Sequence, residues 1–248
     1  MKLKDKVAII TGGARGIGKC FALRFVREGA HVVIADIGDP SGVLKGIAEE
    51  GGKGFATRVD VSNEEGVFDI ARQVVNQFGK IDILINNAAL VGDHMRKPFD
   101  EITGEEWDRV MAVNVKGMFF CAKAVYPQMK QQGKGKIINL CSSTVFKGVP
   151  NFLHYVTSKG AIAALTRCLA KELGSHGINV NGIAPGYTVS DIFVNSPEEY
   201  KALKARERAL PRTELPRDLE GTAVFLASDD SDFITGQIIV VDGGNVMR

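Results

Sequence analysis

Several things this sequence lacks narrow its class before any motif is read. No apolar stretch approaches the roughly 20 residues that span a bilayer. The opening Met1-Lys2-Leu3-Lys4-Asp5-Lys6 leads directly toward a β-rich run and leaves no room for a signal peptide, so a cytoplasmic protein without membrane contact is expected. Charge of one sign is not in excess: the formal net charge is +2 over 248 residues, and the basic residues are scattered rather than gathered into a stripe. That balance disfavours nucleic acid as a partner. Cysteine is sparse, and Cys20, Cys121, Cys141 and Cys168 form no C-x-x-C pair. Reduced core thiols are expected rather than disulfides or zinc ligands, and no metal site is expected. Internal repeats and low-complexity linkers are also missing, so residues 1–248, 45% hydrophobic, are expected to form one domain with a large core.

What is present alternates. Seven short β-rich runs, Val7–Ile10, Val32–Asp36, Gly54–Val59, Ile81–Ile85, Lys136–Cys141, Ile178–Ile183 and Gln237–Val241, are separated by amphipathic helical stretches. This is the pattern of an α/β, doubly wound, Rossmann-like parallel sheet with helices on both faces. Ile17, Phe21 and Phe25 recur at helical spacing before Gly29, and Val67, Ile70, Val74 and Phe78 repeat the period. Capping boxes are expected at Ser62–Glu65 and at Thr103–Glu106. The polar stretch from Tyr187 to Arg217 is the least regular and is expected to be a mobile segment over a site.

The first strand runs into Thr11-Gly12-Gly13-Ala14-Arg15-Gly16-Ile17-Gly18, a tight turn delivering the chain into a helix N-terminus. The backbone of Gly12, Arg15, Gly16, Ile17 and Gly18 is the expected cradle for a pyrophosphate, because free N–H groups and the positive end of the helix dipole favour anionic oxygens. Asp36 ends the second strand 18 residues after Gly18, near the offset at which a carboxylate accepts hydrogen bonds from adenosine ribose hydroxyls. A 2′-phosphate would meet like charge there, so NAD is favoured over NADP. Arg15 speaks for the opposite choice, since a guanidinium in the glycine turn pairs with that phosphate. Asp60-Val61 and Asn86-Asn87-Ala88-Ala89 place small and polar residues, Asp60, Val61, Asn87 and Ala88 among them, at strand C-termini where such sheets bind ligands.

Tyr155 and Lys159 stand four residues apart at the start of a helical run and share one face. A free phenol titrates near 10; serving as a base near pH 7–8 requires lowering it at a cost of about 3–4 kcal/mol. An ammonium about 5 Å away contributes about 3 kcal/mol at an effective dielectric of about 20. Ser142 lies 13 residues before Tyr155, at the end of a strand, where a hydroxyl meets a substrate oxygen that gains or loses charge. Ser143 and Thr144 are rivals at neighbouring positions. His154 points elsewhere and reads as packing or rim, while Trp107 and Met118-Phe119-Phe120 read as core or helix interface.

In this order, T-G-x-x-x-G-x-G at Thr11–Gly18, N-N-A-A at Asn86–Ala89, Asn114, Ser142, Y-x-x-x-K at Tyr155–Lys159, Pro185-Gly186 and Asp242-Gly243-Gly244, the chain resembles the short-chain dehydrogenase/reductase family, in its compact single-domain branch, over essentially its whole length. The resemblance implies that Tyr155 exchanges a proton, Ser142 orients the substrate oxygen, Lys159 lowers the tyrosine pKa and holds the nicotinamide ribose, and Asn114 supports a water-linked relay. It also implies a homotetramer or dimer paired through the helices after Thr103 and Tyr155. Past Pro185 and Gly186 the family has a threonine for the nicotinamide carboxamide; here Ser190 stands at that place and Thr188 precedes it, and either hydroxyl suits. Ala89 replaces a usual glycine.

Reversible alcohol oxidation is therefore expected. A substrate pocket bounded by Ser142, Thr144, Val145, Val149, Phe152, Tyr155 and the segment from Tyr187 to Tyr200 is largely apolar, which points to a hydrophobic, aromatic or alicyclic secondary alcohol or ketone. NADPH-dependent reduction of 3-oxoacyl thioesters is the nearest alternative. A non-catalytic nicotinamide-binding redox sensor is a second, against which Ser142, Tyr155 and Lys159 speak.

Overall fold

The computed structural model describes residues 1–247, the side chain of Asp93 excepted. Seven strands form one parallel sheet: β1 Val7–Thr11, β2 His31–Asp36, β3 Gly54–Arg58, β4 Ile83–Asn86, β5 Gly135–Leu140, β6 Ile178–Pro185 and β7 Ile238–Val241. Their order is β3-β2-β1-β4-β5-β6-β7. The chain thus winds outward from β1 in one direction and then from β4 in the other. All seven expected strands are present, with ends shifted by up to two residues, the usual uncertainty at element ends.

Alternation along the strands assigns the two faces. Ala8 and Ile10, Val32 and Ile34, and Ile83 and Ile85 pack with helices α1 (Gly16–Arg27), α2 (Ser41–Glu49) and α9 (Arg217–Ala227). Val7 and Ile9, Val33 and Ala35, and Leu84 pack with α3 (Glu64–Phe78), α5 (Gly117–Gln132) and α7 (Leu153–Leu173). Burial on both faces is why the strands read as continuous apolar runs. Phe21 and Phe25, two of the expected periodic residues, are fully buried under α1, and Gly29, at φ +90°, ends the turn after that helix.

A buried polar chain fixes α7 over the sheet. The Asn86 amide donates to Asn139 Oδ1 at 2.9 Å, and the Asn139 amide donates to Thr166 Oγ1 at 2.9 Å. It links the ends of β4 and β5 to the helix that carries Tyr155 and Lys159. The bonds set the helix's register, although Asn86 Oδ1 is left without a partner among the described residues.

Three expectations need correction. The box at Ser62 does not form: Asp60 Oδ1 accepts from both the Ser62 amide, at 2.9 Å, and its hydroxyl, at 2.8 Å. The cap passes to Asn63, whose side chain accepts from the Gly66 amide. Asn114 lies in a π-helical turn, Ala112–Lys116, between α4 (Gly104–Met111) and α5, and is fully buried; such an inserted residue is frequent at functional sites. Cys121 and Cys141 are buried thiols, but Cys20 is half-buried and Cys168 is exposed on the outer side of α7. The stretch from Tyr187 to Arg217 contains a helix, α8 (Glu198–Arg206), and the buried residues Thr188, Arg208 and Glu214. Among the described residues no helix is long and apolar enough to cross a membrane.

The Thr103 box does form: Thr103 Oγ1 accepts from the Glu106 amide at 3.2 Å, and Glu106 Oε2 accepts from the Thr103 amide at 2.9 Å. Glu106 also pairs with Lys97 at 2.5 Å, and these contacts hold its carboxyl down to about 2. Thr103→Ala is expected to destabilise the fold by about 1 kcal/mol, measured by denaturant unfolding. An unchanged midpoint would mean that α4 is held by its packing alone.

Candidate active site

The C-terminal ends of the strands open into one elongated cavity of about 360 Å³. It lies where the winding direction reverses between β1 and β4, the place at which open α/β sheets bind ligands.

The β1–α1 turn forms one end. Gly12 and Gly16 have φ of +63° and +58°, conformations that glycine adopts without strain. Asn87, after β4, holds the turn: its side-chain amide donates to Thr11 O at 3.0 Å and Gly12 O at 2.9 Å. Thr11 Oγ1 accepts from the amides of Asn87 and Ala88, both at 3.0 Å. A Cβ on Gly18 would stand 2.3 Å from Gly12 O and 2.6 Å from the Asn87 amide nitrogen. Gly18 is therefore buried packing that lets α1 approach the turn, and it does not line the cavity as expected. Gly12, Arg15, Gly16 and Ile17 do. The Arg15 side chain does not cap α1, which leaves the amides of Ile17 and Gly18 to an anionic ligand. The Gly16 amide donates to Asp191 Oδ2 at 2.8 Å, so a carboxylate from beyond β6 reaches this anion-attracting end.

Asp36 lines the same end. Its two oxygens accept from the Ala14 amide at 2.9 Å and the Gly38 amide at 2.8 Å, which fixes a negative charge beside the glycine turn with lone pairs still available. Asp60, Val61, Asn87 and Ala88 line the wall as expected. Arg109 and Val113, four residues apart, and Ile37 also line it, and sequence reasoning missed them. The i, i+4 spacing of the first two was the available signal.

At the other end Ser142, Tyr155 and Lys159 converge. Lys159 Nζ donates to Leu140 O at 2.7 Å and stands 5.7 Å from the Tyr155 ring centroid. The Ser142 side chain acts on the Tyr155 phenol, lowering its pKa. Ser142 Oγ also accepts from the Thr144 hydroxyl at 2.9 Å. Burial pushes the Tyr155 phenol up to about 12, against the opposing pull of the Ser142 hydroxyl and the Arg96 charge. Burial likewise draws the Lys159 ammonium down to about 8. The net shift of Tyr155 is therefore upward, not the lowering expected from Lys159: in this enclosed site loss of hydration dominates.

Several expected residues stand behind the wall. Asn114 accepts from the Leu90 amide at 2.7 Å and donates to Leu90 O at 3.2 Å and Ser158 Oγ at 3.0 Å. It ties the Leu90-Val91 wall to α7. Phe152 stacks on Tyr155 with centroids 4.4 Å apart, beneath the Arg96 guanidinium. Tyr187 packs on Phe193 and Tyr200 at 5.0 and 5.3 Å. Thr144, turned to Ser142, and the half-buried Val149 do not line the cavity either. His154 is buried, edge-on to Phe152, as read. The place expected for Thr144, Val149, Phe152 and Tyr187 in the lining is taken by Leu90, Val91, Ile192 and Phe193. Pro185, Gly186, Thr188 and Ser190 line it as expected. The Thr188 hydroxyl is committed to Glu214 Oε1 at 2.6 Å, while Ser190 Oγ accepts from the Ile192 amide at 3.4 Å and keeps its proton. Uncapped helix amides, a fixed acceptor at Asp36 and close-approach glycines together fit a dinucleotide.

A family model described as enoyl-(acyl carrier protein) reductase matches residues 12–245. The chain is 42% identical to galactitol 2-dehydrogenase of Agrobacterium fabrum over the full length of both. It is 38% identical to the 3-oxoacyl-[acyl-carrier-protein] reductase of Staphylococcus epidermidis, covering 98% of this chain and 100% of that one. A putative short-chain alcohol dehydrogenase from Sinorhizobium meliloti superposes with a TM-score of 0.92 at 33% identity, covering 98% and 97% of the two chains. Levodione reductase superposes with a TM-score of 0.90 at 28% identity, covering 97% of each. With the site geometry, these similarities make the chain a member of the short-chain dehydrogenase/reductase family, an oxidoreductase built to bind a nicotinamide cofactor.

Proposed function

We propose that the protein interconverts a hydrophobic secondary alcohol and its ketone with NAD(H), using Tyr155 as acid/base. The observation that carries this reading is one continuous cavity with Asp36 at one end and Ser142, Tyr155 and Lys159 at the other. Bound nicotinamide would supply the hydride acceptor or donor and, when oxidised, a positive charge beside the phenol. In oxidation Tyr155 Oη takes the substrate hydroxyl proton, and in reduction it returns one to the carbonyl oxygen. The Ser142 hydroxyl donates to that same oxygen as charge develops on it. Lys159, freed from Leu140 O, would bond a ribose hydroxyl and bring its charge under the phenol. Asn114 orders the wall and α7 behind this pair, the position from which it would hold a relay water. Ser190, with an uncommitted proton, is the better donor to a carboxamide oxygen, and Thr188 the acceptor from its NH₂.

Asp36 supports NAD: its carboxylate is pinned by two amides and cannot withdraw from a 2′-phosphate. The apolar side chains of Leu90, Val91, Ile192 and Phe193 support a hydrophobic substrate. A second reading, NADPH-dependent reduction of 3-oxoacyl thioesters, is favoured by exposed Arg15 at the cavity rim and by the names of the bacterial reductases that the chain is similar to. Exposed Phe119 and Leu153, on α5 and α7, are consistent with a dimer or tetramer paired through these helices.

Titration with NADH and NADPH by nicotinamide fluorescence, followed by a carbonyl screen, tests the reading. NADH is expected to bind more tightly, and Tyr155→Phe to retain binding while losing on the order of 10²–10⁴ in kcat. Turnover surviving in Tyr155→Phe would exclude Tyr155 as the acid/base. Asp36→Asn is expected to weaken NADH binding about tenfold, the scale of one charged hydrogen bond, and to leave NADPH binding equal or improved. Preference for NADPH in the parent would transfer the assignment to Arg15 and the thioester reaction.

Lys159 gives a prediction free of substrate. Its folded value of about 8, against an ordinary 10.5, means that the folded chain sheds this proton before the unfolded chain does. The group therefore costs stability below pH 8, and that cost is relieved as pH rises from about 8 to 10.5. Lys159→Met removes a penalty of about 3 kcal/mol at pH 7, less about 1 kcal/mol for the lost bond to Leu140 O. Thermal melts should show the variant more stable than the parent at pH 7, with the advantage shrinking toward pH 10. A variant less stable at pH 7 would contradict a burial-dominated Lys159.

A further inference from the structure

The family's terminal Asp242-Gly243-Gly244 and the irregular stretch after β6 meet in a buried cluster outside the cavity. Arg208, just past the end of α8, and Glu214, in the loop before α9, form an ion pair at 3.3 Å with side chains only 3% and 5% exposed. Burying two charges is costly unless other bonds complete them; here Arg208 Nε has no partner among the described residues, and most of the remaining bonds go to one short segment. Glu214 Oε1 accepts from the Thr188 hydroxyl at 2.6 Å and from the Gly186 amide at 3.1 Å. Its backbone carbonyl accepts from the Val189 amide at 2.8 Å. Arg208 donates to Tyr187 O at 2.9 Å and to Arg212 O at 2.8 Å. The residues so bound, Gly186 to Val189, begin the segment whose Ser190, Ile192 and Phe193 line the cavity; Arg208 and Glu214 end it.

Space around the cluster has been surrendered to it. A Cβ on Gly186 would lie 2.5 Å from Glu214 Oε2 and 3.2 Å from an Arg208 nitrogen. Gly243, at φ +68°, would bring one to 3.1 Å from Arg208 Cδ. The Leu210 amide donates to Gly243 O at 2.9 Å, so Gly243, after β7, accommodates the arginine stem. None of the tyrosine, serine or lysine chemistry uses this pair.

We propose that the Arg208–Glu214 pair is a clip that closes the base of segment 187–214 and thereby positions Gly186 and Thr188 against the nicotinamide end of the cavity. Both are positioning residues: neither lines the cavity, and they act on a ligand through Gly186 and Thr188. The proposal rests on the nicotinamide reading of the cavity. The clip also has a handle in pH. Burial raises Glu214 to about 7, opposed by the Thr188 hydroxyl, Arg208 and the Gly186 amide, and reinforced by Asp242 at the end of β7. Arg212, in the loop before Glu214, is the other charge acting on it. When Glu214 is ionised it holds Arg208 and accepts a hydrogen bond from the Thr188 hydroxyl, leaving Thr188 an acceptor toward the cavity. When it is protonated the ion pair is lost and the clip loosens.

The test is the NADH dissociation constant, read by nicotinamide fluorescence at pH 6 and pH 8, for the parent, Glu214→Gln, Glu214→Ala and Thr188→Val. Glu214→Gln keeps the shape and an acceptor oxygen and carries the test if Glu214→Ala does not fold. The parent is expected to bind NADH several-fold more tightly at pH 8 than at pH 6. Glu214→Gln should bind about five- to tenfold more weakly than the parent at pH 8 and converge on it at pH 6. Glu214→Ala should be weaker at both. In the Thr188→Val background the Glu214→Gln effect should shrink, because one of its two targets, the Thr188 hydroxyl, is gone and only the Gly186 amide remains. With a ketone that the parent reduces, KM for NADH should rise in Glu214→Gln while kcat changes less than twofold. NADH affinities within twofold of the parent for both Glu214 variants at pH 8 would overturn the clip and leave the cofactor reading standing. A parent that binds neither NADH nor NADPH would overturn both.

Discussion

Everything in the site depends on how closely the turn after β1 can approach the end of β4. That approach is made by one side-chain amide, Asn87, donating to two successive carbonyls of the turn, and by the missing side chain at Gly18 beneath it. If either contact were lost, the first turn of α1 would have to back away from the sheet. The uncapped amides of that helix would then no longer face Asp36 across a single crevice. The reversal of winding between β1 and β4 creates the crevice, and the Asn87 contact sets its width.

The chemical end is governed by a different constraint, exclusion of water. Tyr155 and Lys159 are both pushed toward their neutral forms by burial, the phenol upward and the ammonium downward. The phenol thus holds its proton, while the ammonium stays charged at neutral pH but sheds its proton well before an ordinary lysine does. An enclosed site of this kind is completed by its ligand, since a positive charge introduced beside the phenol is poorly screened there. The simple Coulomb argument between a tyrosine and a lysine one helical turn apart omits the desolvation that outweighs it.

The architecture was largely legible in the sequence. Each strand of a doubly covered sheet is a short, nearly continuous apolar run, and each helix carries its own period, so all seven strands and the two-faced packing could be read from residues alone. The residues expected at the site were legible too, through their order and spacing more than through any one of them: Ser142, Tyr155, Lys159 and Asp36 all line the cavity. Apolar residues near the site were harder. Phe152 and Tyr187 were expected as walls and instead support Tyr155 and Phe193, while Leu90, Val91 and Ile192 do the lining. A leucine or phenylalanine carries no signal of which of two packed layers it occupies. The cap at Asn63 was misread for a related reason: Asp60 competes for the Ser62 hydroxyl, and a pattern of four residues contains no record of its competitors.

The stretch from Tyr187 to Glu214 leaves the sheet and returns to it at nearly the same point, its two ends bonded to each other and to the glycines after β6 and β7. A loop closed at its base behaves as a module. Its interior, including α8 and the apolar residues over the cavity, can be lengthened, shortened or rewritten without shifting Ser142 or Tyr155, which are carried by other elements. Lineages sharing this base are then free to exchange one roof for another, and substrate preference can diverge quickly while the proton chemistry stays in place.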